Sequence, residues 1–156
     1  MTAMSSSRTL LQQAIDRQGQ GDVQAAEQLY RALLAQEPAH AEANHGLGLL
    51  LAQRGADAES LPRFQAALQS QPGMAQYWLS YAGALLATGH PREAHAVLVR
   101  GQQRGFGGPA VTALLQRVEV ALTPSAADLC VERGTELAMQ GQMDQAIAAY
   151  REAIRL

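Results

Sequence analysis

Lysine is absent from the chain, and all twelve of its basic residues are arginine. That absence removes the residue a Walker-type phosphate loop requires. Cysteine occurs once, at Cys130, which excludes an internal disulfide framework and a thiolate metal site. Aromatic residues make up 4% of the chain, so any core must be aliphatic, chiefly Ala and Leu. Long apolar runs are missing as well. The greasiest stretch, GLGLLLA at 46–52, is far short of the roughly 20 residues a membrane helix needs. The N-terminal MTAMSSSRTLLQQAIDRQ has no apolar run of signal-peptide length and meets acid at Asp16. No block of one charge sign exists, and the formal charge of -2 comes from scattered residues. A dedicated nucleic-acid or acidic-membrane surface is therefore not expected. Together these absences set the expectation of a cytoplasmic protein.

What is present points to helices. The 156 residues are 47% hydrophobic and suit one domain of ordinary size with a real core. Ala, Leu, Gln, Arg and Glu, all good helix formers, dominate, while β-branched residues are sparse. Internal periodicity is more informative still. Gly21, Gly55 and Gly89 fall at intervals of 34, and so do Pro38 and Pro72. Each glycine separates two apolar-periodic segments, and each proline follows the second of them. The pattern predicts helix pairs joined by a tight glycine turn, with proline marking the start of the next pair. Nine helices and no strand are expected: 7–19, 22–36, 40–54, 57–71, 74–88, 91–104, 109–122, 125–140 and 143–156. Asp22 and Asp57 are expected as N-caps, Ser125 with Asp128 as a capping box, and Pro91 at a first helical position. Pro62, about one turn inside its helix, should loosen that first turn.

The spaced residues resemble the tetratricopeptide repeat family, whose pattern runs W-x2-L-G-x2-Y, then A-x3-F, then P. The second unit carries Leu47, Gly48, Leu51, Ser60, Phe64, Ala67 and Pro72 in those slots; the third carries Trp78, Tyr81, Ala82, Leu85, Gly89, Ala94 and Leu98. In the first unit Ala26, Tyr30 and Pro38 fit, but Gln13 and Arg17 stand where apolar residues belong, as suits an end repeat facing water. The last unit has Gly134, Leu137, Gly141, Ala146, Tyr150 and Ala153, with Cys130 in the Trp slot and Arg133 replacing a Leu. The resemblance implies an all-α fold, a right-handed helical-repeat superhelix (an α-solenoid).

The stretch GQQRGFGGPA at 101–110 fits the G-x-G-x-x-G/A spacing of a dinucleotide-binding turn. Such a turn must follow a strand and open a helix against a sheet. Here the preceding EAHAVLVRGQQR reads as helix, so the glycines are expected to be a hinge. The distance from Gly89 to Gly141 is one repeat plus eighteen residues, room for one extra helix, PAVTALLQRVEVAL, that interrupts the array. The domain plan is thus a disordered N-terminus at 1–6, three repeat units at 7–106, an extra capping helix and linker at 107–124, and a fourth, truncated hairpin at 125–156.

No catalytic constellation is evident. The four histidines, His40, His45, His90 and His95, pair at five-residue spacing, which is wrong for a helical zinc site. Cys130 reads as a small packing residue. No metal and no cofactor are expected. In the resembled family the first helix of each unit lines a concave groove, which would place Glu42, His45, Leu49, Ala52, Gln53, Gln76, Leu79, Gly83 and Leu86 there. The eight expected to contact a peptide are Glu42, His45, Leu49, Gln53, Gln76, Leu79, Gly83 and Leu86. This face lacks the basic residues that would clamp a terminal carboxylate. Leu49, Leu50, Leu79 and Leu86 exceed the repeat's core pattern; either neighbouring helices cover them or they form an apolar binding patch.

The expected function is a protein–protein interaction scaffold holding a peptide or protein segment. Residues 25–118, especially AQYWLSYAGALLATG, also resemble the N-terminal repeat region of bacterial O-GlcNAc-transferase-like enzymes. The alternative is therefore a substrate-recognition fragment of a larger glycosyltransferase or other multidomain enzyme. The chain's end within a helix, at AIRL, agrees with a fragment. The apolar last helix could instead pair two molecules, making residues 125–156 a homodimer contact.

Overall fold

The computed structural model describes the backbone of residues 2–156 and side chains from Ser6 onward. Its described residues form nine helices and no strand: α1 (Thr2–Gly19), α2 (Val23–Gln36), α3 (Ala41–Gln53), α4 (Asp57–Ser70), α5 (Ala75–Ala87), α6 (Pro91–Gln103), α7 (Pro109–Leu122), α8 (Ala126–Met139) and α9 (Met143–Arg155). Eight of the nine start within one residue of expectation. The exception is α1, which begins at Thr2, so the stretch expected to be disordered is helical from its second residue; Met1 lies outside the described residues. TAMSSS contains no Gly or Pro to stop the helix, and the Ser7 hydroxyl ties it to the Glu37 carboxylate.

One turn chemistry ends the first helix of every pair. Gly21, Gly55, Gly89 and Gly141 all have φ between 76° and 80°, a region that only glycine enters without strain. In each, the next residue's N–H donates to a carbonyl five positions back: Asp22 to Arg17, Ala56 to Leu51, His90 to Leu85, Gln142 to Leu137. The GFGG stretch uses the same device. Gly105 has φ 89° and Phe106 donates to Gly101, which closes α6. Starts are satisfied separately. Asp22 accepts from Ala25, the Ser125–Asp128 capping box is complete, and Pro91 opens α6. Asp57 corrects one expectation: it is the first helical residue, and Ala56 occupies the cap position without a side-chain bond. Pro62 lies inside α4, which still runs to Ser70.

The chain divides into two compact units, one ending at Val118 and the other spanning Glu119–Leu156. In the first unit three core layers follow one another along the helices. Ala14, Tyr30, Leu33, Leu47 and Leu50 join α1, α2 and α3. Ala41, Ala67, Leu68, Tyr77 and Trp78 join α3, α4 and α5. Ala82, Leu85, Ala94, Leu98, Val111, Leu114 and Val118 join α5, α6 and α7. The buried residues of α7 sit on a single stripe. One repeat beyond Ala82 and Leu85, it carries the exposed Gln116 and Glu119, so it covers its predecessors and offers polar side chains to water. A recurring hydrogen bond also marks the repeat. Asn44 donates to the Pro38 carbonyl at 2.8 Å, and one period later Trp78 Nε1 donates to the Pro72 carbonyl at 2.9 Å. Asn44 leaves its own Oδ1 buried and unpaired.

Between units of the stack, Arg54 places one nitrogen 3.1 Å from both Glu27 oxygens, and Arg31 reaches the same carboxylate at 2.7 Å. Glu27 is buried, so this pairing satisfies a charge that would otherwise be costly. The second unit is the α8–α9 hairpin, packed on Gly134, Ala146 and Ala149.

Helices can approach this closely only where side chains are missing. A Cβ on Gly48 would lie 2.7 Å from the Phe64 ring, and one on Gly134 would lie 2.7 Å from Tyr150. Gly48→Leu is expected to destabilise the fold by about 1–3 kcal/mol through overpacking. Gly107 has open space and no positive φ, so Gly107→Ala should stay within about 0.5 kcal/mol. Urea melts of both variants check this pair; an unchanged Gly48→Leu midpoint would contradict the crossing.

Candidate ligand-binding surfaces

The first-helix surface comes from α3 and α5. Glu42, Gln53 and Gln76 are exposed, while Leu49, Leu79, Gly83 and Leu86 are half-buried. No arginine stands among them. The excess leucines divide: Leu50 goes fully into the core, whereas Leu79 and Leu86 pack partly against the α5–α7 layer and keep one side open.

His45 does not belong to this open face. It is 7% exposed, its Nε2 lies 2.9 Å from the Ser80 hydroxyl, and its ring packs 4.8 Å from Tyr77 and 5.7 Å from Phe64. The groove assignment of His45 is thus corrected. Phe64 of α4 and Tyr77 and Ser80 of α5 close over the imidazole, whereas Gly46 makes room for the Tyr30 ring of α2. Burial pushes its pKa below the usual histidine range.

On the second-helix side, a cleft of about 510 Å³ opens between α4 and α6. Its floor is Leu68, Trp78, Tyr81, Leu85 and Val97; its rim includes Gln65, Gln69, Glu93, Arg100 and Arg104. The Arg104 guanidinium sits 5.5 Å from the Trp78 ring centroid, and Phe106 lies 6.3 Å from the same ring on its other flank of the loop. Burial first, and then the Glu93 charge, raises the Tyr81 pKa. Helical spacing separates this site from the first-helix surface. Residues 76, 79, 83 and 86 fall on one face of α5, and 78, 81 and 85 on the opposite one. The groove reading missed the cleft because it treated Trp78, Tyr81 and Leu85 only as core. The available signal was two arginines one turn apart, leading into GFGG.

Elsewhere, His40 caps α3 through the Ala43 N–H, and His90 contacts the Thr88 hydroxyl. Among the described residues no three His, Cys, Asp or Glu gather as a metal would require, and no helix is long and apolar enough to cross a membrane. Cys130 is half-buried. Hydrogen bonds from the Ser125 hydroxyl and N–H hold Asp128 below the usual carboxylate range. On α9 a stripe of Met143, Ile147 and Ile154 is exposed.

Comparison with known proteins follows from this architecture. A sequence-family profile described as tetratricopeptide repeat matches residues 11–75, and a second profile of that description matches residues 49–118. No curated protein matches the sequence. Among solved structures, the crystal structure of MamA protein aligns with TM-score 0.56 and 18% identity, over 96% of this chain and 72% of that one. An O-GlcNAc transferase mutant of Thermobaculum terrenum aligns with TM-score 0.61 and 23% identity, over 87% of this chain and 27% of that one. At such identities the likeness is one of fold.

The buried imidazole gives the fold an acid dependence. His45 is held neutral, so its contribution is fully present above the unfolded histidine value of about 6.5. It is lost as the pH falls from there through the lowered folded value. Urea midpoints at pH 7.5 and pH 5 should fall further apart in the native chain than in His45→Gln, which keeps a hydrogen-bonding group but does not titrate. Equal losses in both would assign the acid sensitivity to another group.

Proposed function

This chain belongs to the tetratricopeptide repeat family, and from that premise we propose that its first unit holds a peptide or protein segment along the α3–α5 first-helix surface. A protein-interaction scaffold is what such repeats provide. The observation carrying the finer reading is the half-open leucines Leu49, Leu79 and Leu86, set among uncharged Gln53 and Gln76 with a single acid, Glu42. Leucines take up apolar side chains. Glutamine amides both donate to and accept from a peptide backbone. With one carboxylate and no cation, the surface favours a neutral or basic segment over an acidic one. Peptides selected from a random display library on the intact chain should bind saturably and lose at least about tenfold in affinity to Leu79→Glu. Binding indifferent to that substitution would overturn the site.

A second reading has its own support. The likeness to the transferase extends over most of this chain but about a quarter of that one. On this reading the chain is the substrate-recognition part of a larger glycosyltransferase. Codons following Leu156 decide: an in-frame glycosyltransferase sequence supports it, and a stop codon overturns it.

The α8–α9 hairpin is proposed to join two molecules. Ile154 is 84% exposed, yet Leu34 and Leu68, at the same repeat position, are 7% and 9% exposed because a following helix covers them. The outer face of α1 is a poor cover, since Gln12 and Asp16 there hydrogen-bond each other in water. A second α9 fits better. Antiparallel pairing about a two-fold axis sets Met143 and Ile147 against Ile154 and Tyr150, and brings Asp144 opposite the partner's Arg151 twice. Sedimentation should find a dimer that Ile147→Glu with Ile154→Glu dissociates; a strict monomer at high concentration would rule it out.

A further inference from the structure

We propose that the cleft between α4 and α6 is a separate binding site for an acidic peptide segment carrying one bulky apolar side chain. Its volume of about 510 Å³ is in the range of side-chain and small-ligand sites. The floor is apolar and already assembled, because Leu68, Trp78 and Leu85 are fixed in the core layers beneath it. Trp78 is locked in orientation by its bond to the Pro72 carbonyl, so the floor needs no rearrangement to receive a side chain.

The rim decides the charge of the occupant. Arg100 in the last turn of α6 and Arg104 at its C-cap lie four residues apart, both exposed and in no ion pair among the described residues. Arg104 is placed over Trp78 by the Gly105 turn, which ends α6 there and turns Phe106 toward the same ring. The glycine stretch thus has a consequence beyond changing the chain's direction: it sets one guanidinium at the edge of an aromatic floor. Glu93 lies two turns before Arg100, so the cleft has a cationic end and an anionic end. A carboxylate is matched at the cationic end by two forks of donors. Gln65 and Gln69 on α4 supply amides for a backbone passing along the opposite rim. A basic segment would meet two like charges, and a bare anion would leave the floor unused.

The chain has one tryptophan, so the emission of Trp78 reads the cleft without a label. The intact chain is titrated with acetyl-Asp-Leu-Phe-Glu-amide, with acetyl-Lys-Leu-Phe-Lys-amide and with inorganic phosphate. A saturable change with the acidic peptide alone is expected. Arg100→Gln with Arg104→Gln, both at exposed positions, should weaken it at least about tenfold, and Arg8→Gln, an exposed arginine on α1, should leave it unchanged. The first-helix reading is tested by its own display-library peptides, so the two can fail independently. No saturable change, an equal response to the lysine peptide or to phosphate, or full binding by the double variant would overturn the proposal.

Discussion

Every hairpin in this chain closes on a residue too small to hold its partner helix away. Ala14, Gly48, Ala82 and Gly134 each stand sixteen residues before a bulky one: Tyr30, Phe64, Leu98 and Tyr150. At Gly48 and Gly134 the ring occupies the space a Cβ would take. That approach sets the spacing within each pair, and the spacing in turn decides which other residues can be buried. It allows Leu50 and Leu85 to reach a neighbouring layer, and it lets α4 and α5 meet over His45. Three of the four crossings use an aromatic ring, and aliphatic residues fill most of what remains.

The same spacing gives α5 two working faces. Trp78, Tyr81 and Leu85 form the bottom of a cleft between α4 and α6, while Leu79 and Leu86, half-buried, keep an edge toward the other surface. The two differ in charge. The first-helix face holds Glu42 and amides, and the cleft rim holds two arginines facing one glutamate. A scaffold with opposite preferences on its two sides can hold two segments at once without their competing, provided each reads its own electrostatic surface.

How much of this was legible beforehand varies with the physics involved. Helix positions were, because glycine at positive φ and proline at helix starts are local signals that recur every repeat. Core slots were legible for the same reason, down to Leu47, Phe64 and Leu85. His45 was misplaced because periodicity gives a residue's angle around its helix but not the height of the neighbour that closes over it. Phe64 and Tyr77, each on another helix, close over it, a tertiary effect. The Glu27–Arg54 pairing joins residues 27 positions apart on different helices, and nothing local announces it. Residues 1–6 were expected to be disordered, yet α1 starts at Thr2, because a stretch without a breaker does not end a helix.

The polar ends of the first unit bear on how its repeats behave as a linear array. In a one-dimensional lattice of coupled units, the terminal elements have one neighbour instead of two and open first. Here α1 turns Gln12 and Asp16 outward, while α7 turns Gln116 and Glu119. Each also exposes an apolar side chain, Ile15 on α1 and Val120 on α7, so these outer faces are mixed rather than wholly polar. The five helices between them, α2 to α6, have neighbours on both sides, and their amide protons are expected to exchange later than those of the two end helices. The α8–α9 hairpin has no such boundary, since its exposed Ile147 and Ile154 leave an interface term unfilled. Its local opening is expected to cost less than that of the first unit.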